Sequence, residues 1–441
     1  MGNTAREAAL EALERCRRDK AWSAAAIDGV IRKHGLDSRD GALASRLCLG
    51  VLQNQEYCDY YVNLFYNKSA SALEPKVRDI LRLGVYQLLF MDKIPARAAV
   101  NESVALCKTV GMGRATGLVN AVLRRMAENR DTLPEIPGKG TALYVSRRYS
   151  HPLWLAERLI KERGYDFAEA FFAANNEPSG LTIQVNTLKV TMRDYIRALE
   201  RAEIPFESFE AVPGCLRLPG GTVTRLPGYE EGLFYVQDRA ARAAVLAAGV
   251  KPGMKVLDAC AAPGGKSFAA AIAMENRGEL LSCDISAKKL SLISSGAERL
   301  GIHIIRTAQR DARTVDADLS QGFDLVIGDV PCSGFGVIGK RPEIRQKQEA
   351  EIAALPAIQA EILENLARFV RPGGVLMYST CTVLQQENEA IVKGFLEKNG
   401  DFTPEDFQLG DIRSENGMYT FWPHIDGTDG FFAAKLRRRE G

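Results

Sequence analysis

The sequence contains no Cys-x-x-Cys pair and only four histidines, none of them paired at metal-ligand spacing. Neither a zinc site nor a disulfide framework is signalled, and no metal is expected. Nine cysteines are present, at positions 16, 48, 58, 107, 215, 260, 283, 332 and 381, odd in number and scattered. No run of about 20 apolar residues exists, so no membrane-spanning helix is expected. The opening MGNTAREAALEALERC is amphipathic and charged and lacks the apolar core of a signal peptide. A cytoplasmic protein with no membrane partner is expected. The fingerprint G-x-G-x-x-G is also missing, which disfavours a dinucleotide-dependent dehydrogenase. A phosphate-binding P-loop requires glycine five residues before the Gly-Lys-Ser of 265–267, and position 260 is cysteine.

The residues that are present are ordinary in bulk and uneven in distribution. The 441 residues are 46% hydrophobic and 25% charged, as in globular proteins, and length alone suggests several domains. Residues 1–140 carry 21 Lys+Arg against 16 Asp+Glu, whereas the remainder has a net charge of −3. A basic N-terminal third suits a polyanionic partner, although a solvated helical surface accounts for it equally well. Apolar residues recur at helical spacing in AREAALEALERC, DGALASRLCLGVLQN and EPKVRDILRLGVYQLLF, where Val77, Ile80, Leu81, Val85, Leu88 and Leu89 share a face. Pro95, Gly111 and Gly113 punctuate the later helices of this region. The pattern predicts an all-helical domain over residues 1–130, a Pro/Gly-rich linker over 128–146, and a small α+β module over 147–230.

From residue 231 short strands alternate with helices. MKVLDA, GELLSCD, HIIRTA, FDLVIGDV and GVLMYST read as strands. KSFAAAIAMEN, SAKKLSLISSGAERLG, PAIQAEILENLARFV and ENEAIVKGFLEKN read as helices, with Ser286 as an N-cap. Such alternation specifies an α/β domain over 231–441 with a mostly parallel sheet covered on both faces. The closing TDGFFAAKLRR is expected to add an antiparallel strand at the sheet's edge.

The stretch V-L-D-A-C-A-A-P-G-G-K-S, residues 256–267, gives a strand, a glycine turn and a helix start in the order a nucleotide-like cofactor requires. Gly264 and Gly265 allow a ligand close to the backbone, and the helix beginning near Lys266 offers free N–H groups. With no pyrophosphate cradle, the loop suits a nucleoside cofactor such as S-adenosylmethionine. Acidic residues recur at strand ends. Asp284 closes LLSCD and can accept hydrogen bonds from ribose hydroxyls. Asp311 in QRDAR can receive an adenine amino group. Asp329 closes LVIGDVPC.

Cys332 stands three residues after Asp329, and Cys381 stands after the next strand in YSTCT. A cysteine is ordinarily a small buried hydrophobe, yet both stand at strand ends among Pro, Ser, Thr and Gly. A thiolate beside a methyl donor suits one reaction. Addition of the thiolate to C6 of a pyrimidine makes C5 nucleophilic enough to accept a methyl group. A carboxylate such as Asp329, bonded to the N3/N4 edge, would favour the addition. Spacing does not distinguish which thiol attacks.

DACAAPGGK, DVPCSGFG and YSTCT, in this order, resemble the RNA cytosine-C5 methyltransferases, as do YVQDRAAR and GTDGFFAAKLRR. The segment LEPKVRDILRLGVYQLLFMDKIPARAAVNESVAL, with GLVNAVLRR after it, resembles the NusB-type helical RNA-binding domain. The fusion is similar to the RsmB/Sun family of small-subunit rRNA methyltransferases. That resemblance implies a Rossmann-like domain with a seven-stranded sheet, acting on 16S rRNA before or during subunit assembly, and a monomer. It implies S-adenosylmethionine bound by Cys260, Ala261, Ala262, Pro263, Gly264, Gly265 and Lys266 with Asp284, Asp311 and Asp329. It also implies Cys381 as nucleophile, Cys332 as the residue that assists release of the methylated RNA, and Asp329 and Lys266 at the catalytic centre. Three departures are visible: Val330 where the family usually has Ala, GKRPEIRQK after Cys332 without the usual aromatic, and QVNTLK at 184–189 in place of an Arg-Val-Asn start. A tRNA methyltransferase with the same catalytic domain, or an RNA-binding factor without activity, are the alternatives.

Overall fold

The computed structural model describes residues 4–66, 69–178 and 180–440. The first three residues of the charged N-terminus and the last residue of the final expected domain lie outside them. The chain forms two compact units, Met1–Glu177 with Ile338–Glu349, and Pro178–Val337 with Ala350–Gly441.

The first unit is helical. Its opening helix, Ala5–Asp19, starts with a reciprocal cap in which Thr4 Oγ1 accepts from the Glu7 N–H and the Glu7 carboxylate accepts from the Thr4 N–H. Helix Pro75–Phe90 is buried almost all round rather than on one face; of the expected apolar set only Leu89 is partly open. Even its charged residues are enclosed. Asp79 and Arg82 are 2% and 4% exposed, and Arg82 bonds both Asp59 and Asp79. The expected linker stops early. Thr141 accepts from the Tyr144 N–H and caps a helix over Ala142–Tyr149. Residues 147–230, expected as one small module, are divided between the units. Helices Leu153–Arg163 and Tyr165–Ala174 belong to the helical unit, and the strands from Leu181 onward belong to the second. The helical unit also takes in the distant segment 338–349. Its Arg345, 7% exposed, donates to the carbonyls of Gln53, Tyr149, Ser150 and Asn175 and to the Asn176 side chain.

The second unit contains a four-stranded antiparallel sheet, with strands at Leu181–Val185, Glu207–Ser208, Cys215–Leu218 and Phe234–Val236, and an eight-stranded sheet. We number the strands of the larger sheet β1 (Lys255–Asp258), β2 (Glu279–Asp284), β3 (Ile305–Gln309), β4 (Phe323–Asp329), β5 (Val370–Thr380), β6 (Phe402–Pro404), β7 (Met418–Phe421) and β8 (Phe431–Arg438). The order is β6-β8-β5-β4-β1-β2-β3, with β7 also paired to β8. β1 to β5 run parallel and β6 to β8 pair antiparallel, so the sheet is mostly parallel as expected, with eight strands rather than seven. The closing strand differs from its expected place. β8 is antiparallel but interior, flanked by β5 on one side and by β6 and β7 on the other. Its six buried residues, Phe431–Leu436, explain this: five are apolar and the sixth, Lys435, pairs with Glu405, and such a run is stable between partners and hazardous at an edge.

Strand period fixes which side chains face which layer. Val256, Leu325, Ile327, Val375 and Met377 pack under the helices of one face, while Leu257, Val326, Leu376 and Tyr378 pack under those of the other. A one-residue slip would exchange the two sets. The smaller sheet is tied to this domain by Asn186, which is fully buried. Its side-chain amide donates to the carbonyls of Gly232 and Leu300, and Lys189 Nζ donates to those of Glu231 and Arg299. Gly232 has φ +70°, and a Cβ there would lie 2.0 Å from the Arg299 carbonyl oxygen. Asn186→Ala leaves two buried carbonyls without donors, and urea unfolding should show a loss of about 1–3 kcal/mol. An unchanged midpoint would refute this role.

Candidate active site

Because β1 to β5 are parallel, the loops at their carboxyl ends emerge on one edge. The strand order reverses at β1, which makes this edge a ligand-binding crevice. Here the turn after β1 is held by the Ala261 N–H donating to the Cys283 carbonyl and by the Gly264 N–H donating to that of Ala261. The peptide between Ala262 and Pro263 is cis. Gly264 has φ +113°, and a Cβ there would lie 2.6 Å from the Phe268 ring, so only glycine closes this turn. Helix Gly265–Ala273 begins at the expected place.

A cleft of about 400 Å³ opens beside the turn. Cys260, Ala262, Asp284, Asp311 and Asp329 all line it, together with apolar Ile285, Ile358 and Ile362. Ala261 and Gly264 are buried behind it, and Pro263 is exposed. Asp284 anchors the cleft wall, accepting from the Ala262 and Ser286 N–H groups. Ser286 occupies the cap position of helix Ala287–Leu300, yet its side chain makes no capping bond; the Asp284 carboxylate satisfies its N–H instead. Asp311 is clamped by Arg313, whose guanidinium and backbone N–H hold its carboxyl below the usual range. Burial pushes the Cys260 thiol up, so it stays protonated.

Asp329 joins this cleft to the thiols. Lys266 Nζ is 2.7 Å from one carboxylate oxygen, and the Ser379 hydroxyl donates to the other at 3.0 Å. Lys266 also lies 4.8 Å above the Phe431 ring. Ser379 pairs with Asp329 in the parallel ladder, so the chain segments beyond them leave the sheet side by side. The sulfur atoms of Cys332 and Cys381 meet at 3.0 Å. The hydrogen bond to Cys381 and then burial raise the Cys332 thiol well above its ordinary range.

The support beneath the thiols was not anticipated from the sequence. Glu387 is fully buried, and its carboxylate accepts from the Ser333 N–H and from Gln359, which also donates to the Pro331 carbonyl. Ser333 and Thr382 share a hydroxyl hydrogen bond, and Asn388 bonds both Thr380 and Thr382. The Gly336 N–H donates to the Cys381 carbonyl and its own carbonyl accepts from Gly430; a Cβ on Gly336 would lie 1.8 Å from the Gly430 oxygen. DVPCSGFG and GTDGFF are thus packed backbone to backbone. Among the described residues no group of three or more His, Cys, Asp or Glu side chains is placed to hold a metal, and no helix is long and apolar enough to cross a membrane.

Comparison with known proteins places this geometry. Residues 245–437 match the family described as 16S rRNA methyltransferase RsmB/F, residues 3–128 the NusB family, and residues 151–224 an RsmF/B-like ferredoxin-like domain. The probable ribosomal RNA small subunit methyltransferase B of Bacillus subtilis is 33% identical over 98% of both chains. The chain belongs to the RsmB/F family. The Synechocystis relative of the same description is 31% identical over 99% of each chain. The crystal structure of PH0851 superposes with a TM-score of 0.83 at 28% identity, covering 98% of each chain. A methyltransferase homologue from Pyrococcus horikoshii covers 67% of this chain and 98% of its own, with a TM-score of 0.60 and 26% identity.

An RsmB/F methyltransferase implies S-adenosylmethionine as methyl donor, and the residues present fit it. The carboxylates of Asp284, Asp311 and Asp329 complement hydroxyl donors and a cationic sulfonium, the isoleucines offer apolar surface to a base, and the glycine turn leaves room beside the backbone.

Asp258, at the end of β1 behind the turn, was also unforeseen. It is fully buried, accepts from the Ser267 hydroxyl, and keeps one oxygen without a partner. Burial, above all, pushes its carboxyl up to about 7. A carboxyl raised above its unfolded value of 3.8 favours the folded chain below about pH 4, and that contribution is lost as pH rises through about 7. In the ligand-free protein, Asp258→Asn should therefore gain stability relative to the parent between pH 4 and pH 8, by on the order of 4 kcal/mol. Urea unfolding across that range measures the difference, and a constant one would contradict a raised Asp258.

Proposed function

We propose that this chain methylates C5 of a cytosine in 16S ribosomal RNA, using S-adenosylmethionine, through a covalent bond between Cys381 and C6. The observation that carries this reading is the pair of sulfurs 3.0 Å apart beside the Lys266–Asp329 ion pair, at the rim of a carboxylate-lined cleft. S-adenosylmethionine supplies an electrophilic methyl group. Cytosine C5 is a poor nucleophile towards it, and the protein must supply the missing electron density.

Cys381, whose sulfur meets that of Cys332, is the nucleophile that the resemblance to the RNA cytosine-C5 methyltransferases assigns. It adds to C6, the ring electrons shift towards N3, and C5 becomes enamine-like. Asp329, fixed by Lys266 and Ser379, meets the N3/N4 edge and accepts from the amino group. With S-adenosylmethionine bound, C5 would take its methyl group, the sulfonium sulfur leaving as a neutral thioether. The C5 proton then passes to solvent water, and its electron pair restores the ring double bond as the C6–S bond breaks, returning the thiolate. Cys332 assists this last step and release of the RNA. The Glu387 and Gln359 scaffold keeps the Cys332 loop in place throughout. In the helical unit, basic helices hold RNA through phosphate contacts.

Cys381→Ala should abolish methyl transfer to 16S rRNA, a loss of at least about 1,000-fold given what a covalent nucleophile contributes. Cys332→Ala should instead accumulate a protein–RNA adduct that survives denaturing electrophoresis. Normal turnover by the first variant, or no adduct with the second, would refute the assignments. Bisulfite sequencing of rRNA and tRNA with and without the gene separates 16S rRNA from a tRNA target.

A further inference from the structure

Within the helical unit lies a cavity of about 660 Å³, inside the range of about 300–1,000 Å³ usual for ligand sites. Five arginines and three carboxylates line it. Most of this charge is already committed. Asp79 pairs with Arg17 and Arg82, and Arg345 is spent on main-chain carbonyls and Asn176. Arg78 and Arg147 remain, with no carboxylate bonded to them among the described residues, and Arg78 Nε is buried without a partner. Of the two other carboxylates, Glu157 is exposed, and Glu56, its carboxyl raised by burial, feels the charges of Arg82, Arg147 and Arg78 without a bond to the last two.

His151 supplies a different requirement. It is 0% exposed and lines the cavity. Its Nδ1 lies 2.7 Å from the Tyr149 carbonyl, so Nδ1 carries the proton and Nε2 presents a lone pair. That Nε2 is buried and has no partner. Burial, then the charge of Arg345, lowers its basicity well below the ordinary range, so the ring is neutral and Nε2 awaits a hydrogen-bond donor. Apolar surface completes the site: Leu143 and Leu153 are 44% and 40% exposed, beside the half-buried Trp154 ring.

Two available guanidinium groups suit a phosphate, a buried acceptor suits a hydroxyl or amino hydrogen, and a flat apolar wall suits a base. A plain anion would leave His151 unsatisfied, and an apolar ligand would leave the arginines so. We propose that this cavity takes one unstacked nucleotide of the RNA substrate, with its phosphate on Arg78 and Arg147, a ribose hydroxyl or base amino group on His151 Nε2, and its base against Trp154. The site rests on the reading of the chain as acting on rRNA and adds a recognition point within the helical unit itself.

The test uses the full chain and a 16S rRNA transcript carrying 4-thiouridine. Photo-cross-linking of the unaltered protein should mark peptides within residues 143–157. Arg78→Gln with Arg147→Gln should weaken binding of the transcript about tenfold or more and reduce the salt dependence of log K by about 1, for the one phosphate no longer neutralised. A merely structural role would leave that slope unchanged. If the parent binds but cross-links fall elsewhere, or if the double variant keeps both affinity and slope, the cavity is not a nucleotide site. If the parent itself binds no rRNA, the substrate reading fails and this site with it.

Discussion

The parallel pairing of β4 with β5 is the constraint on which the candidate active site depends. It sets Asp329 beside Ser379 at the same level of the sheet. Everything chemically distinctive lies within three residues of that rung or reaches it: Cys332 on one segment, Cys381 on the other, and Lys266 extending across from the neighbouring helix to the same carboxylate. The rung is itself fixed by alternation, since Val326 and Leu376 face one layer while Ile327 and Met377 face the other. Core packing, rather than any interaction between the thiols, brings the two sulfurs together.

Buried acids play opposed parts around that rung. Asp258 behind the glycine turn is raised by desolvation and retains a proton near neutrality. Glu387 beneath the Cys332 loop accepts from two donors on one oxygen and serves as a structural acceptor. Each is a polar group that would be costly in a core without its partners. The partners are what hold two loops, separated by some fifty residues of chain, in one geometry. Asp329 between them is left half-open, held on both oxygens and still facing the cleft.

Much of this was legible in the sequence because the chemistry is concentrated in short, contiguous motifs. The alternation of strands with helices implied the parallel sheet, and parallel strands necessarily gather their carboxyl-end residues at one edge. Cys332, Cys381 and Asp329 could be collected on that argument, and Lys266 followed from the family resemblance. The supporting residues could not. Glu387 and Asn388 stand in a polar run that reads only as a helix start, and Gln359 looks like any polar position on an amphipathic helix. Asn186 sits in a motif whose first residue departs from the family pattern, and its two carbonyl partners are 46 and 114 residues away. The interior position of β8 was missed because a terminal strand is most simply placed at an edge, and its uninterrupted burial is visible only once its neighbours are known.

The segment 338–349 leaves the catalytic domain shortly after Cys332, is built into the helical unit through Arg345, and returns at Ala350. The two units are therefore joined by three crossings of the chain rather than one. No single cut separates them cleanly: a fragment ending near residue 177 would lack the guanidinium that ties together four of its own main-chain carbonyls, and the complementary fragment would carry twelve residues folded for a body no longer there. A separately produced helical unit would therefore need residues 338–349 supplied alongside residues 1–177 to keep those carbonyls bonded.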